Sequence, residues 1–167
     1  MLLTDPVSWF VHLPPELATF FISMIPITEL RASIPIGIEV YGLPVWKVFV
    51  LAVIGDLIPA LLILICIPFV HDWIMRSRIL GAVLEHKLRK AEKKFSGNYF
   101  KYGAIALVIF IGIPLPFTGS WTGALIAFVF NIPFRRAAPL ITVGVLMAAS
   151  IVTAVTLFAG GTLRWLF

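Results

Sequence analysis

The sequence predicts an all-α membrane protein made of two inverted repeats, each a re-entrant helical hairpin followed by a spanning helix, joined by a basic amphipathic cytoplasmic helix. Three observations lead there. Of the 167 residues, 60% are apolar and only 13% charged, and the mean hydropathy of +1.05 lies far outside the range of soluble domains. Two apolar runs are only about half as long as a bilayer requires, and each ends on a proline-containing break. Finally, the second half of the chain repeats the pattern of the first.

A spanning helix needs roughly 20 apolar residues at about 1.5 Å each. Residues 44–69, PVWKVFVLAVIGDLIPALLILICIPF, meet that length with only Lys47 and Asp56 as charges, and residues 137–163 meet it with none. Residues 17–28 and 102–113 give roughly 18 Å of helix each, about half of a hydrocarbon core. Each is followed by a breaker, ITELRASIP or PLPFTGS, and a second short apolar stretch. A helix that turns at such a tip and returns to its own side is tolerated where protein or water covers the free backbone groups of the tip. The alternative for the second run is one kinked span over residues 102–134.

The internal repeat favours hairpins. A shift of 89 residues lays GLPVWKVFVLAVIGDLIPA on NIPFRRAAPLITVGVLMAA, pairing Pro44 with Pro133, Gly55 with Gly144 and Ala60 with Ala149. With a one-residue gap it extends back to pair the IP of IPITELR with the IP of IPLPFTG, and it sets Glu29 against Thr118, Arg31 against Ser120 and Asp56 against Val145. The domain plan is a single membrane domain over residues 1–167, with repeat one at about 17–70, the linker at about 72–98 and repeat two at about 99–163.

Charge sets the orientation. The net charge of +5 could suggest nucleic acid, but most cations fall in residues 76–101 between apolar runs, which suits a cytoplasmic segment under the positive-inside rule and no nucleic-acid partner. In WIMRSRILGAVLEHKLRKAEKKFSGNYFK, Leu80, Leu84, Leu88 and Phe95 share one helical face, as in a helix lying on anionic headgroups. The first span then runs inward and the second outward, in a multi-pass protein of the inner (plasma) membrane. The stretch MLLTDPVSWF has no basic n-region or cleavage site, so no removable signal peptide is expected.

ELRASIPIGIEVYGLP with a Gly-Asp step in the following span, and later PLPFTGSWTGALIA, is similar over nearly the whole chain to the bacterial small multidrug export family. That family in turn resembles the DedA (VTT) superfamily, whose members carry two inverted re-entrant hairpins and include proteins implicated in translocating undecaprenyl phosphate and other phospholipids. The resemblance implies that Glu29, Asp56 and Arg135 or Arg136 stand where DedA proteins carry functional acids and arginines. The chain departs from the pattern at FTGSW, where an arginine is usual.

Charge at membrane depth costs a few kcal/mol and normally faces a cavity or a partner. Glu29 and Arg31 at the first tip are read either as a functional pair or as a structural ion pair. Asp56, halfway along a span, suits proton or sodium coupling together with Glu29. Thr118, Gly119 and Ser120 open a helix whose free N–H groups could receive an anion, or Gly119 and Gly123 could simply permit close packing. Arg135 and Arg136 are either substrate-binding or determinants of topology, and Glu39 is expected to be solvated. His12, His71 and His86 have no ligand spacing and Cys66 no partner, so no metal or cofactor is expected. TGSWTG misses the GxSxG elbow and has no base, which argues against an enzyme.

The expected function is therefore a flippase or transporter of an anionic phosphate-bearing lipid. Arg31, Thr118, Gly119, Ser120, Arg135 and Arg136 would hold the phosphate, Glu29 standing with them, while Glu29 and Asp56 exchange protons or sodium. The rivals are export of hydrophobic cations bound by Glu29 and Asp56, and a non-transporting membrane assembly factor. Two full spans enclose a small cavity at most, so a homodimer fits the size.

Overall fold

The computed structural model describes residues 13–75, 99–115, 119–130 and 132–166, with side chains described outside 67–75, 99–102 and 160–166. Most of the expected amphipathic linker and Thr118 thus lie outside the described residues. Among those residues the fold is all-helical, with six α-helices and no strands: α1 (Pro15–Met24), α2 (Glu29–Pro35), α3 (Val45–Met75), α4 (Tyr99–Gly112), α5 (Ser120–Val129) and α6 (Phe134–Leu166). A π-helical turn, Ile36–Val40, extends α2.

The first break follows from local chemistry. Pro15 opens α1, where its missing N–H costs nothing. The helix stops at Met24 because Ile25 precedes Pro26 and is driven to extended backbone, ψ 129°. Thr28 Oγ1 then donates to the Ile22 carbonyl at 2.8 Å, occupying one of the acceptors the helix end leaves open. The helix therefore ends before residue 28, where the apolar run had placed its limit. Glu29 begins α2 with φ at +47°, a left-handed conformation that is costly for a residue with a Cβ. Gly42, at φ +63°, makes the turn into α3 without that cost.

Contacts between its helices trace the course of the first unit. Lys47 at the start of α3 pairs with Glu16 at the start of α1, 2.8 Å apart. Further along, Ser23 Oγ donates to the Ala52 carbonyl at 2.6 Å, and a Cβ on Gly55 would stand 2.5 Å from the Phe20 carbonyl oxygen. So α1 runs beside α3 as far as its middle. On the return, a Cβ on Gly37 would stand 2.8 Å from Val48 Cγ1 and 3.2 Å from Thr19 Cγ2, which brings the end of α2 back near the start of α3.

The second unit repeats the glycine crossing. A Cβ on Gly144 of α6 would meet the Val108 carbonyl at 3.2 Å and Ile111 Cβ at 2.8 Å, as one on Gly55 would meet Phe20 and Ser23. Small residues at such crossings let helix backbones approach closely. The buried faces of the long helices agree under the same 89-residue shift: Val48, Ala52, Asp56 and Ala60 correspond to Ala137, Ile141, Val145 and Ala149, all at 0–1% exposure. In the short helices, buried Glu29, Leu30, Ser33 and Ile34 match buried Gly119, Ser120, Gly123 and Ala124 with a shift of 90. The expected pairs Glu29 with Thr118 and Arg31 with Ser120 are thereby displaced by one residue. The tip before α5 is longer, and the π-helical turn after α2 absorbs the extra residue that restores 89, as π-bulges do.

Across the units, α3 packs on α5 while α6 packs on α2, and the two long helices touch each other. Two stretches, Val45–Cys66 and Phe134–Ala159, are long and apolar enough to cross a membrane.

Candidate functional site

The two tips meet beside the middle of α3. Asp56 lies eleven residues into the span that begins at Val45 and ten before its end at Cys66, and only 1% of it is exposed. Its carboxylate is held from the other unit: Ser120, the first residue of α5, shares its hydroxyl proton between Asp56 Oδ1 at 3.0 Å and the Asp56 carbonyl at 3.1 Å. Ser120 is itself fully buried. A hydrogen bond to a charged acceptor in such surroundings is stronger than a neutral one.

Glu29, 4% exposed, reaches the same place from the first tip. A Cβ added to Gly119 would fall on the Glu29 carboxyl oxygens, so the carboxyl group stands where a side chain at position 119 would be. Gly119 is the N-cap of α5 and has no side chain of its own to offer. Its N–H donates to Thr122 Oγ1 at 2.8 Å, and Thr122 returns its hydroxyl to the Gly119 carbonyl at 3.0 Å. Arg31 Nη2 stands 3.8 Å from Glu29 Oε2, a loose pair rather than a fork. Glu29, Arg31 and Ser120 are also the groups that act electrostatically on Asp56.

The sequence-predicted residues thus divide. Glu29, Arg31, Asp56, Gly119 and Ser120 come together. Arg135 and Arg136 do not: they are exposed in the first turn of α6, about 13 Å of helix before Val145, the repeat equivalent of Asp56. At the anion seat expected at Gly119 and Ser120, the Gly119 N–H is committed to Thr122, the Ser120 hydroxyl is committed to Asp56, and the Glu29 carboxyl lies against Gly119. Gly123 serves close packing, since a Cβ there would overlap Ile111.

Sequence reasoning missed two polar groups. The Ser33 hydroxyl is fully buried without a hydrogen-bond partner among the described residues, whereas Thr19, Thr142, Ser150 and Thr156 each bond the carbonyl four residues back. Its position one turn after Glu29 was the available signal. The indole N–H of Trp121, next to Ser120, is likewise buried without a partner among the described residues. No group of three or more His, Cys, Asp or Glu side chains able to hold a metal occurs among the described residues.

Chemically, two carboxyls facing one guanidinium carry a formal charge of −1 when all three are ionised. One proton or one monovalent cation brings the cluster to neutrality, which a low-dielectric interior strongly favours. The arrangement can bind and release a positive charge.

Comparison with protein families matches residues 29–151 to the family described as "Putative small multi-drug export protein". The match begins at Glu29 and takes in every residue of the cluster. Comparison with curated proteins and with solved structures gave no match.

Proposed function

Given that the chain belongs to the small multi-drug export protein family, we propose that it is a membrane exporter that trades protons for lipophilic cations at the buried pair Glu29 and Asp56. The observation that carries this reading is the pair itself: two carboxyls, 4% and 1% exposed, beside one guanidinium at the middle of a span. The phosphate-lipid scheme needs an anion to displace Glu29 from Gly119 and then sit beside Asp56, against the repulsion of both acids. A cation meets attraction from both.

The proposed architecture is two re-entrant hairpins in inverted repeats, as in DedA-like folds, with the tips meeting at the midplane. The parallel course of α1 and α3, the return of α2 to the start of α3, and the recurrence of the glycine crossing at Gly144 in the second unit support it. Such inverted pairs place substrate sites at the repeat interface of secondary transporters. In this scheme Arg31 keeps the empty, unprotonated pair from carrying two unbalanced charges.

The test is uptake of tetraphenylphosphonium or ethidium into proteoliposomes under an imposed pH gradient. Wild-type protein should couple cation flux to proton counterflux, and Asp56→Asn or Glu29→Gln should abolish the coupling. Unchanged cation flux in both variants, with lipid-phosphate headgroup binding lost on Arg31→Ala, would overturn this reading in favour of the phosphate-lipid scheme.

A further inference from the structure

Glu29 and Gly119 are equivalent positions as well as neighbours. The 90-residue shift that aligns the buried faces of α2 and α5 takes residue 29 to residue 119, and the two are in contact. In units related by a two-fold, a residue that touches its own equivalent lies beside the axis. Any rearrangement that exchanges the roles of the two units must pass through this contact.

The contact is asymmetric in chemistry. One side supplies a carboxyl group, and the other supplies a helix N-cap with no side chain. N-caps favour Asp, Asn, Ser and Thr, whose oxygens accept from first-turn N–H groups, and a negative charge there is favoured further by the helix dipole. Glu29 stands where such a side chain would project. Its left-handed φ of +47° is an independent mark that the tip is held in a conformation its residue type disfavours, as at switch and clamp sites.

We propose that Glu29 is a carboxylate latch between the hairpins: ionised, it stays packed on Gly119 at the positive end of α5 and ties the tips together; neutralised, it leaves Gly119 and frees the second tip to move off Asp56. What neutralises it, a proton or a cationic cargo, rests on the function proposed above. The charged groups around the latch are Arg31 on α2, which attracts the carboxylate, and Asp56 on α3, which repels it. The Ser120 hydroxyl on α5 is committed to Asp56. On α6 the charged side chains described, Arg135 and Arg136, sit in the first turn, and on α1 Glu16 is paired with Lys47 at the far end.

The experiment uses the full chain in lipid nanodiscs, with Cys66→Ser and spin labels at Ile27→Cys and Leu115→Cys, exposed positions flanking the two tips. Distances between labels are read from pH 5 to pH 9. Wild-type latch residues should give a narrow distribution at pH 9 that lengthens and broadens at pH 5, and Glu29→Gln should give the broad distribution throughout. The double variant Glu29→Gly, Gly119→Asp gives α5 a carboxylate cap within its own hairpin and removes the left-handed strain. It should stay folded yet show the broad distribution at every pH. A wild-type distance indifferent to pH, or a double variant with the wild-type response, overturns the latch. Cation exchange that fails while the tip response persists counts against the exporter alone, and a missing tip response with intact exchange counts against the latch alone.

Discussion

Ser120 is bonded to Asp56 through both its carboxylate and its backbone carbonyl, at 3.0 and 3.1 Å, so one hydroxyl of α5 fixes the only acid in the Val45–Cys66 stretch. Ser120→Ala leaves a buried carboxylate short of a donor and should destabilise the protein by about 1.5 to 3 kcal/mol. In an Asp56→Asn background the same change should cost only about 1 kcal/mol, because the acceptor is no longer charged. Denaturation midpoints of the four proteins in detergent give the coupling, and additive effects would show that the bond contributes nothing beyond packing.

The glycine crossings make a paired prediction. A Cβ at Gly55 would press on a backbone oxygen at 2.5 Å, which only movement of the whole of α1 relieves, whereas one at Gly144 would press on Ile111 Cβ at 2.8 Å and the Val108 carbonyl at 3.2 Å. Both Gly55→Ala and Gly144→Ala should destabilise by about 1 to 3 kcal/mol, with Gly55→Ala the larger. Thermal unfolding of the two variants in one detergent decides the order. Equal stability to wild type at either position would mean that the helices do not cross this closely.

At the far end of the first unit, the hydrogen bond from Lys47 holds the Glu16 carboxyl below its ordinary value of 4.5. A carboxyl depressed in the folded state adds stability above its unfolded value and loses it as pH falls through the folded one. The contribution should therefore be complete above about pH 5 and fade below 4.5. Glu16→Gln should flatten that part of the stability profile and leave neutral pH little changed, since the pair is partly exposed. An unaltered acid limb would place the pH sensitivity elsewhere.

Much of the fold was legible because membranes make length and punctuation decisive. The apolar runs marked α3 and α6. The prolines of IPITELR and IPLPFTG marked both breaks, since a proline disfavours helical backbone in the residue before it. The repeat gave the register of the buried faces to within a residue, failing only where tip length and the π-helical turn add or remove one. The site was less legible. The spacing of Glu29 and Arg31 suggests a pair with each other, but with a left-handed φ at Glu29 and no side chain at Gly119 the acid also packs against α5 of the second unit. Sequence distance carries no signal for that contact, or for Ser120 meeting Asp56 across 64 positions.

The inverted-repeat architecture makes a topological claim that labelling can decide. In α1 to α3, Glu16 meets Lys47 at one end and Gly37 returns to Val48 near that same end, so both ends of the first hairpin should face one side of the membrane. In the second unit a Cβ at Gly112 would overlap Met147, thirteen residues into α6, which puts the tip between α4 and α5 at comparable depth. Cysteines placed singly at Leu13, Tyr41, Tyr102 and Pro133 in a Cys66→Ser background should then react with a membrane-impermeant maleimide as two couples. Leu13 and Tyr41 should label from one face, and Tyr102 and Pro133 from the other. If Tyr102 and Pro133 label from opposite faces, α4 and α5 form a kinked span. If all four label from one face, the hairpins are real but the repeats are parallel, and exchange by swapping the roles of the two units is lost with the inversion.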